Sequence, residues 1–338
     1  MMLGLLAAPA LACGGLVAPN GTIRLLRTST LAAYHDGVEH YVTSFQFAGE
    51  ASDAPSGGQF GSIVPLPAVP TSVERGGDWT LQRLAKEVAP KFEGDAAASG
   101  GGTALSAASS AEVIQQVRID ALDLTVLKGG GKAVGDWAKE HGFLLTPDAP
   151  EILDYYAKQS PIFLAARFDV AGARARGQQI GDGTPIHITM PLDRPWVPLR
   201  ILTLGRGQLE PVSADVFLLT DNEPRLSPGL GFDTGMTLSY SQKASDSLLP
   251  DLRSDKNSSW VPQEGWLSQV QINGEAKQLN HDLNISLDDR PLVTHVVTPT
   301  PISKTGSSHA WVWAFVAVGC LVLPTIAVMA AKATRRSA

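Results

Sequence analysis

The chain has 338 residues, of which 44% are hydrophobic and 18% are charged, and its formal net charge at pH 7 is -6. This composition excludes a wholly disordered protein, because it supplies enough apolar surface to build a folded core. The body is more acidic than the total suggests, since Lys332, Arg335 and Arg336 all lie in the last few residues. An acidic body without a basic stripe is unsuited to neutralising phosphates, which excludes nucleic acid as the expected partner.

The N-terminal segment predicts export. Its apolar run ends in Ala10-Leu11-Ala12, the small-x-small pattern that signal peptidase cuts, so residues 1–12 are interpreted as a signal peptide with cleavage between Ala12 and Cys13. The segment lacks a basic beginning, so we expect it to be incomplete and the true start to lie upstream. Cleavage would leave Cys13 first, either as a plain thiol or as a lipidated residue.

Residues 22–48 predict a β-hairpin. Residues 22–34 and 38–48 read as extended segments, and His35-Asp36-Gly37 between them has the composition of a turn. Residues 63–70 follow, with alternating prolines that confine the segment to a sheet edge or an ordered loop. A polyproline-type ligand is the alternative interpretation of these prolines.

Apolar periodicity predicts three short helices, at residues 78–88, at 132–141 and from Thr146-Pro147 through Tyr156. Asp78 is the expected cap of the first helix. Residues 93–110 are nearly all small and cannot bury enough surface to offset their ordering entropy, so a mobile loop is expected there.

Strands are predicted at residues 113–127, 162–170, 186–190, 197–204, 215–220, 267–272 and 283–287. Because helices occur early and strands dominate late, the pattern predicts an α+β fold of mainly antiparallel strands, with a few short helices in the N-terminal half. This extracytoplasmic domain is expected to cover residues 13–295, and a polar linker follows at 296–310.

Residues 311–331 complete the predicted fold class with one C-terminal transmembrane helix. They carry no charge and have about the length that a hydrocarbon core of about 30 Å requires. Trp311 and Trp313 lie at one end and the basic tail 332–338 at the other, so the positive-inside rule places the tail in the cytoplasm. The expectation is a single-pass protein of the cytoplasmic membrane with its N-terminus outside.

Familiar catalytic patterns are missing from the sequence. No histidine pair has the spacing of a helical zinc protease, and no Gly-x-Ser-x-Gly pentapeptide occurs. Residues 129–132 lack the spacing of a phosphate loop, and residues 255–259 lack the glycine of a calcium loop. We therefore expect no cofactor and no metal.

Two groups of residues remain as candidate sites. His35, Asp36, Glu39 and His40 crowd the predicted hairpin tip, where they could ligate a metal or act as acid and base, or could simply be polar because a turn requires it. The second group could form an aromatic platform for a sugar or a partner protein, or could belong to the core; its members are Trp196, Trp260 and Trp266.

Several short motifs resemble one bacterial family, the domain of unknown function two-three-three-zero. The motifs are Ala12–Gly15, Tyr34–Tyr41, Val64–Pro67, Trp79–Leu84, Asp136-Trp137, Gly142-Phe143, Pro198–Ile201 and Trp266–Ser268, followed by Asp282. The resemblance covers most of residues 12–290 and implies a secreted or membrane-tethered protein. It implies no activity.

The leading functional hypothesis is a non-enzymatic domain of the cell envelope that binds a partner or has a structural role. An envelope protein or a polysaccharide is the expected partner. The alternative is an envelope hydrolase whose catalytic residues converge only in three dimensions, and a third possibility is an accessory to transport or sensing.

Overall fold

The computed structural model describes residues 15–17, 24–25, 28–44, 47–48, 59–89, 111–143, 145–169, 184–227 and 230–287. In chain order the strands are β1 Gly15–Val17, β2 Arg24–Leu25, β3 Thr28–His35, β4 Val38–Ser44, β5 Phe47–Ala48, β6 Gln59–Leu66, β7 Ser72–Arg75, β8 Glu112–Ile119, β9 Leu122–Lys128, β10 Ile162–Asp169, β11 Pro185–Pro191, β12 Trp196–Val197, β13 Pro211–Thr220, β14 Arg225–Ser227, β15 Met236–Lys243, β16 Trp266–Glu275 and β17 Leu283–Ser286. The helices are α1 Thr80–Val88, α2 Gly131–Glu140, α3 Ala149–Ala157 and α4 Leu248–Ser254, with short 3-10 turns at Arg200–Thr203, Phe232–Thr234 and Ala276–Gln278.

Two sheets organise these elements. The first has five strands in the order β1-β6-β10-β9-β8, all antiparallel, and the second has seven in the order β15-β16-β13-β3-β4-β11-β7. The second sheet is mixed, because β3 runs parallel to β13 while its other neighbours pair antiparallel. Two smaller sheets, β12-β17-β14 and β2-β5, complete the pairing.

The helices and the two large sheets stack as four layers. One core cluster lies between the sheets and includes Tyr41, Leu124 and Val216. A second cluster packs α2 and α3 on the outer face of the five-stranded sheet. A third packs α1 and α4 on the outer face of the seven-stranded sheet. The central strands of both sheets are therefore covered on both faces, and for this reason β10 and β13 are buried almost throughout instead of alternating.

The predicted hairpin of residues 22–48 is confirmed as the pair β3 and β4. Asp36 and Gly37 join the strands with φ values of 49° and 77°. A two-residue hairpin loop of this hand matches the right-handed twist of the strands, and Asp-Gly tolerates it best. Residues 113–127, predicted as one strand, form the second hairpin β8 and β9. Asp120 takes φ 52° at the turn between them. This turn was not predicted, because apolar residues flank it in the sequence.

The segment predicted at residues 63–70 as a sheet edge or an ordered loop consists of the end of β6, up to Leu66, and the ordered loop that follows at 67–70. Pro65 lies inside β6, which pairs with β10 on one side through Leu66 and with β1 on the other side only at Gly61–Ile63. Pro65 has no described partner on the β1 side, and a proline in a strand is tolerated where one side of the strand is unpaired.

Helix α1 confirms the predicted helix of residues 78–88, but its cap was predicted wrongly. The N-cap residue is Trp79, which makes no side-chain cap bond. The buried carboxylate of Asp255 caps the helix from a distant part of the chain, because it accepts the N–H groups of Asp78 and Trp79 at 3.0 Å and the hydroxyl of Thr80 at 2.7 Å. Asp78 itself points to Arg75.

The predicted fold class requires correction. Helices are not confined to the N-terminal half, since α4 lies near residue 250. Within the described residues no helix is long and apolar enough to span a bilayer. The longest of them is α2, and its ten residues extend only about 15 Å, half of a hydrocarbon core of about 30 Å. The fold therefore consists of mostly antiparallel and mixed sheets with short helices. The segment 311–331 lies outside the described residues.

Candidate functional site

An open cleft of about 240 Å³ lies at the end of the five-stranded sheet. Strand β6 contributes one wall with its Pro-Leu-Pro end, helix α3 and the residues after it contribute the second, and the segment between β11 and β12 contributes the third. The lining residues are Pro65, Leu66, Pro67, Tyr156, Gln159, Ser160, Leu192, Asp193, Arg194 and Trp196. Apolar and polar groups thus face the same space.

Trp196 is the most extended apolar surface of the cleft. Its indole is half-buried and stands edge-on to the Tyr156 ring, with 6.1 Å between centroids. Asp193 and Arg194 are exposed beside it. Arg194 forms no hydrogen bond or ion pair within the described part of the chain, so its guanidinium is available to a ligand. The cleft therefore combines an aromatic ring with hydrogen-bonding groups around it.

Buried carboxyl groups hold both ends of residues 196–201, the segment that begins with Trp196. Glu39 is fully buried, and its Oε2 accepts the backbone N–H of Trp196 at 2.8 Å. The side-chain Oδ1 of Asp282 accepts the Tyr156 hydroxyl at 2.6 Å and the N–H groups of Leu199 and Arg200 at 2.8 and 3.0 Å. The segment predicted as a strand at 197–204 is thus a two-residue strand and a 3-10 turn, because Pro198 interrupts the ladder and Asp282 supplies the bonds instead.

Burial shifts the pKa of each of these acids upward. Desolvation raises the pKa of Glu39 well above its usual value, against the Trp196 N–H that lowers it. Desolvation also raises the pKa of Asp282 to about 6, opposed by its bonds to Tyr156, Arg200 and Leu199. The second carboxyl oxygen of each group, Oε1 of Glu39 and Oδ2 of Asp282, is buried and has no hydrogen-bond partner among the described residues.

The residues of the predicted hairpin-tip cluster separate in the structure. His35 and Asp36 remain exposed at the tip, where His35 Nδ1 lies 2.5 Å from Asp221 Oδ1 and its Nε2 lies 3.3 Å from Asp36 Oδ2. Glu39 and His40 point to opposite faces of β4, because successive side chains of a strand alternate. Glu39 faces the space between the sheets and His40 faces the helices α1 and α4. They do not form one site.

His40 belongs instead to a stack of three rings. Its Nδ1 lies 2.9 Å from Nε2 of His187 on the neighbouring strand β11, and its ring stacks on Trp260 with 4.3 Å between centroids. Desolvation and the charge of His35 lower the pKa of His40 to about 4, and desolvation and the charge of His40 lower the pKa of His187 to about 3. Both rings are therefore neutral near pH 7.

This stack also contains the members of a nucleophile, base and acid arrangement, but its geometry does not serve that chemistry. Thr189 Oγ1 lies 3.4 Å from His187 Nε2, which is already paired with His40. Glu74 Oε1 lies 3.3 Å from His187 Nδ1, yet that nitrogen has no hydrogen-bond partner. A general base needs a free nitrogen within reach of the proton it removes. No group of three or more His, Cys, Asp or Glu side chains in the described residues could hold a metal ion.

The three predicted tryptophans do not form a common platform. Trp196 lines the cleft, Trp260 stacks on His40, and Trp266 begins β16, where its Nε1 donates to Ser241 Oγ at 2.8 Å. The predicted cleavage site at Ala12 and Cys13 lies outside the described residues.

Sequence reasoning missed Tyr156, His187, Asp193, Arg194 and Asp282. Tyr156 was expected only as an apolar position of a helix, and its hydroxyl bonds a residue 126 positions away. Of these five residues, only Asp282 was marked in the sequence, because it is one of the motif residues on which the family resemblance rests. Nothing local in the sequence marks the other three.

A search of curated proteins found no match to this chain. Among solved structures, a mutated baculovirus P35 after caspase cleavage matches with a TM-score of 0.41 and 9% identity, covering 76% of this chain and 99% of that one. The crystal structure of baculovirus P35 matches with a TM-score of 0.40 and 12% identity, covering 79% and 97%. These values are too low to carry an argument.

The family model described as "Uncharacterized protein conserved in bacteria (DUF2330)" matches residues 7–228. This match spans more than half of the chain and confirms the resemblance that the sequence motifs predict. The chain belongs to this family of uncharacterised bacterial proteins.

Proposed function

We propose that the folded body is a binding module that takes one sugar unit of a polysaccharide in the cleft beside Trp196. The observation that supports this most is the half-buried indole beside exposed Asp193 and Arg194, the latter without a partner among the residues that the structure describes. Aromatic side chains that are partly exposed to solvent suit ligands that have both an apolar face and hydroxyl groups.

The size and polarity of the cleft favour a sugar over a protein side chain as the ligand. Its volume of about 240 Å³ is below the roughly 300–1,000 Å³ that encloses a drug-sized ligand, so only one small unit enters. Polar and apolar groups share the lining, whereas protein partners favour an apolar centre free of charged groups. Gln159 and Ser160 add polar groups opposite Arg194.

Titration calorimetry of the full chain tests this proposal with soluble tetrasaccharides of N-acetylglucosamine, glucose and galactose. We expect at least one of them to bind, and Trp196→Ala to weaken that binding by tenfold or more, on the order of 1.4 kcal/mol. Trp266→Phe is the matched control, because Trp266 lies outside the cleft, and its affinity should equal that of the wild type. Equal affinity of Trp196→Ala, or no binding across the panel, would contradict the proposal.

A further inference from the structure

The segment of residues 196–201, called the cleft wall below, is held by side chains from three other parts of the chain. Glu39 of β4 accepts the first N–H of this segment, at Trp196. At its other end Asp282 accepts the N–H groups of Leu199 and Arg200, and the Tyr156 hydroxyl accepts that of Ile201 at 2.9 Å. The position of Trp196 in the cleft therefore depends on these bonds.

The charge of Arg200 offsets only part of the cost of burying the Asp282 carboxylate. Within the described residues it forms no ion pair, although Arg200 is its neighbour. The Arg200 guanidinium pairs with Glu151 and lies over the Tyr155 ring, 4.4 Å from the centroid. Three donors share Oδ1 while Oδ2 is buried and unpaired. A buried carboxylate with an unpaired oxygen is costly when ionised, and a proton on that oxygen removes the charge.

We propose that Asp282 is a proton-sensitive latch of the cleft wall, closed when its carboxyl is protonated and released when it ionises. The inference rests on the proposed function only in its consequence for ligand binding. The latch itself is a property of the folded chain and can be measured without a ligand.

The other groups that face Asp282 do not provide an alternative switch near neutral pH. Burial and Asp282 itself raise the pKa values of Tyr155 and Tyr156, so both phenols stay protonated. Burial lowers the pKa of His281, which moves its titration away from neutral pH. The Arg200 guanidinium is paired with Glu151. At the far end of the wall burial also raises the pKa of Glu39, but Glu39 accepts the N–H of Trp196 and not those of Leu199 and Arg200.

The direction of the effect follows from linkage. The pKa of Asp282 is about 6 in the closed wall and returns toward its ordinary value of about 3.9 when the wall opens to water. The closed state therefore binds the proton more tightly, and its advantage is complete at low pH and lost as the pH rises through about 6. Binding of a saccharide that needs Trp196 in place should weaken over the same range.

Hydrogen exchange of the full chain at pH 5.0 and 7.5 tests the latch, with labelling times scaled for the intrinsic pH dependence of exchange. We expect the protection of the Leu199 and Arg200 amides to fall about tenfold at the higher pH, as linkage with these two pKa values requires. In Asp282→Asn, which keeps the acceptor oxygen and cannot ionise, the protection should be the same at both pH values.

Two controls separate the latch from general effects of pH. Asp193→Asn removes an exposed acid of the same cleft and should keep the tenfold change. The amides of β13, such as that of Val216, report opening of the sheet. Their protection should not show the change between the two pH values that is expected for Leu199 and Arg200. A wall whose protection is unchanged between pH 5.0 and 7.5, or a change that persists in Asp282→Asn, would overturn the proposal. Loss of saccharide binding alone would contradict the proposed function and leave this result intact.

Discussion

Gly77 lies where the atoms that cap helix α1 leave no room for a side chain. A Cβ at this position would overlap the Asp255 carboxylate and the Thr80 hydroxyl. Because both atoms are fixed by hydrogen bonds to each other and to the start of the helix, they cannot move without breaking the cap. We expect Gly77→Ala to lower the free energy of unfolding by about 1–3 kcal/mol, the usual cost of overpacking.

Urea denaturation of the variant beside Gly231→Ala checks this expectation. A Cβ at Gly231 would meet no atom within 4 Å, so the control should change the unfolding free energy by less than about 0.5 kcal/mol. Equal stability of Gly77→Ala and Gly231→Ala would show that the Asp255 carboxylate and the Thr80 hydroxyl can be displaced without loss of stability.

Helix α1 is attached to α4 by two aspartates with different surroundings. Asp255 is buried and accepts the N–H groups and hydroxyl at the start of α1, whereas Asp251 is half-exposed and pairs with Arg83 at 2.8 Å. Removing a buried acceptor leaves several donors unsatisfied, and removing one partner of an exposed pair does not. We expect Asp255→Ala to cost about 2–5 kcal/mol and Asp251→Ala less than about 1 kcal/mol.

The two variants share the residue type and the substitution, so each is the other's control in thermal and urea unfolding. Hydrogen exchange of α1 adds a local measurement, since loss of the cap should expose its first turn in Asp255→Ala alone. Similar losses of stability in both variants would show that the pair with Arg83 carries the attachment.

The elements that sequence reasoning found are those whose signals are local. The β3 and β4 hairpin depends on Asp36-Gly37 within its own turn, and α1 on the apolar spacing of nine residues. The α1 cap depends on Asp255, which is 175 positions from Thr80. No local pattern announces such a partner, and Asp78 was the nearest acid available. The four-layer arrangement was missed for the same reason.

The candidate site was predictable only in part, because folding brings its members together from distant strands. Trp196 was named as a residue of either an aromatic platform or the core, and it lines the cleft. His40 was expected at the hairpin tip, but His187, 147 positions away, became its partner when β11 paired with β4. Because side chains alternate along a strand, Glu39 lies on the opposite face from His40. The contacts of His40 with His187 and of Glu39 with Trp196 could be predicted only if the strand register were known.

Two sets of buried groups give the whole molecule opposing dependences of stability on pH. The pKa values of His40 and His187 are lowered to about 4 and about 3, so their contribution is present above about 6.5 and lost as the pH falls toward those values. The pKa of Asp282 is raised to about 6, so its contribution is present below about 3.9 and lost as the pH rises through about 6. Between pH 4.5 and 6.0 the two effects oppose each other.

Single substitutions should separate these slopes in urea denaturation at pH 4.5 and 6.0. Each group that is protonated in only one of the two states changes the unfolding free energy by about 1.4 kcal/mol per pH unit. Asp282→Asn removes a contribution to the unfolding free energy that falls as the pH rises. The stability of this variant should therefore rise with pH more steeply than that of the wild type, by about that amount. His187→Gln removes a contribution to the unfolding free energy that rises with pH, so the stability of this variant should rise less steeply. Asp193→Asn changes an exposed acid, and its stability should depend on pH as that of the wild type does. Slopes of Asp282→Asn and wild type that coincide would mean that the folded chain leaves the carboxyl of Asp282 in contact with water.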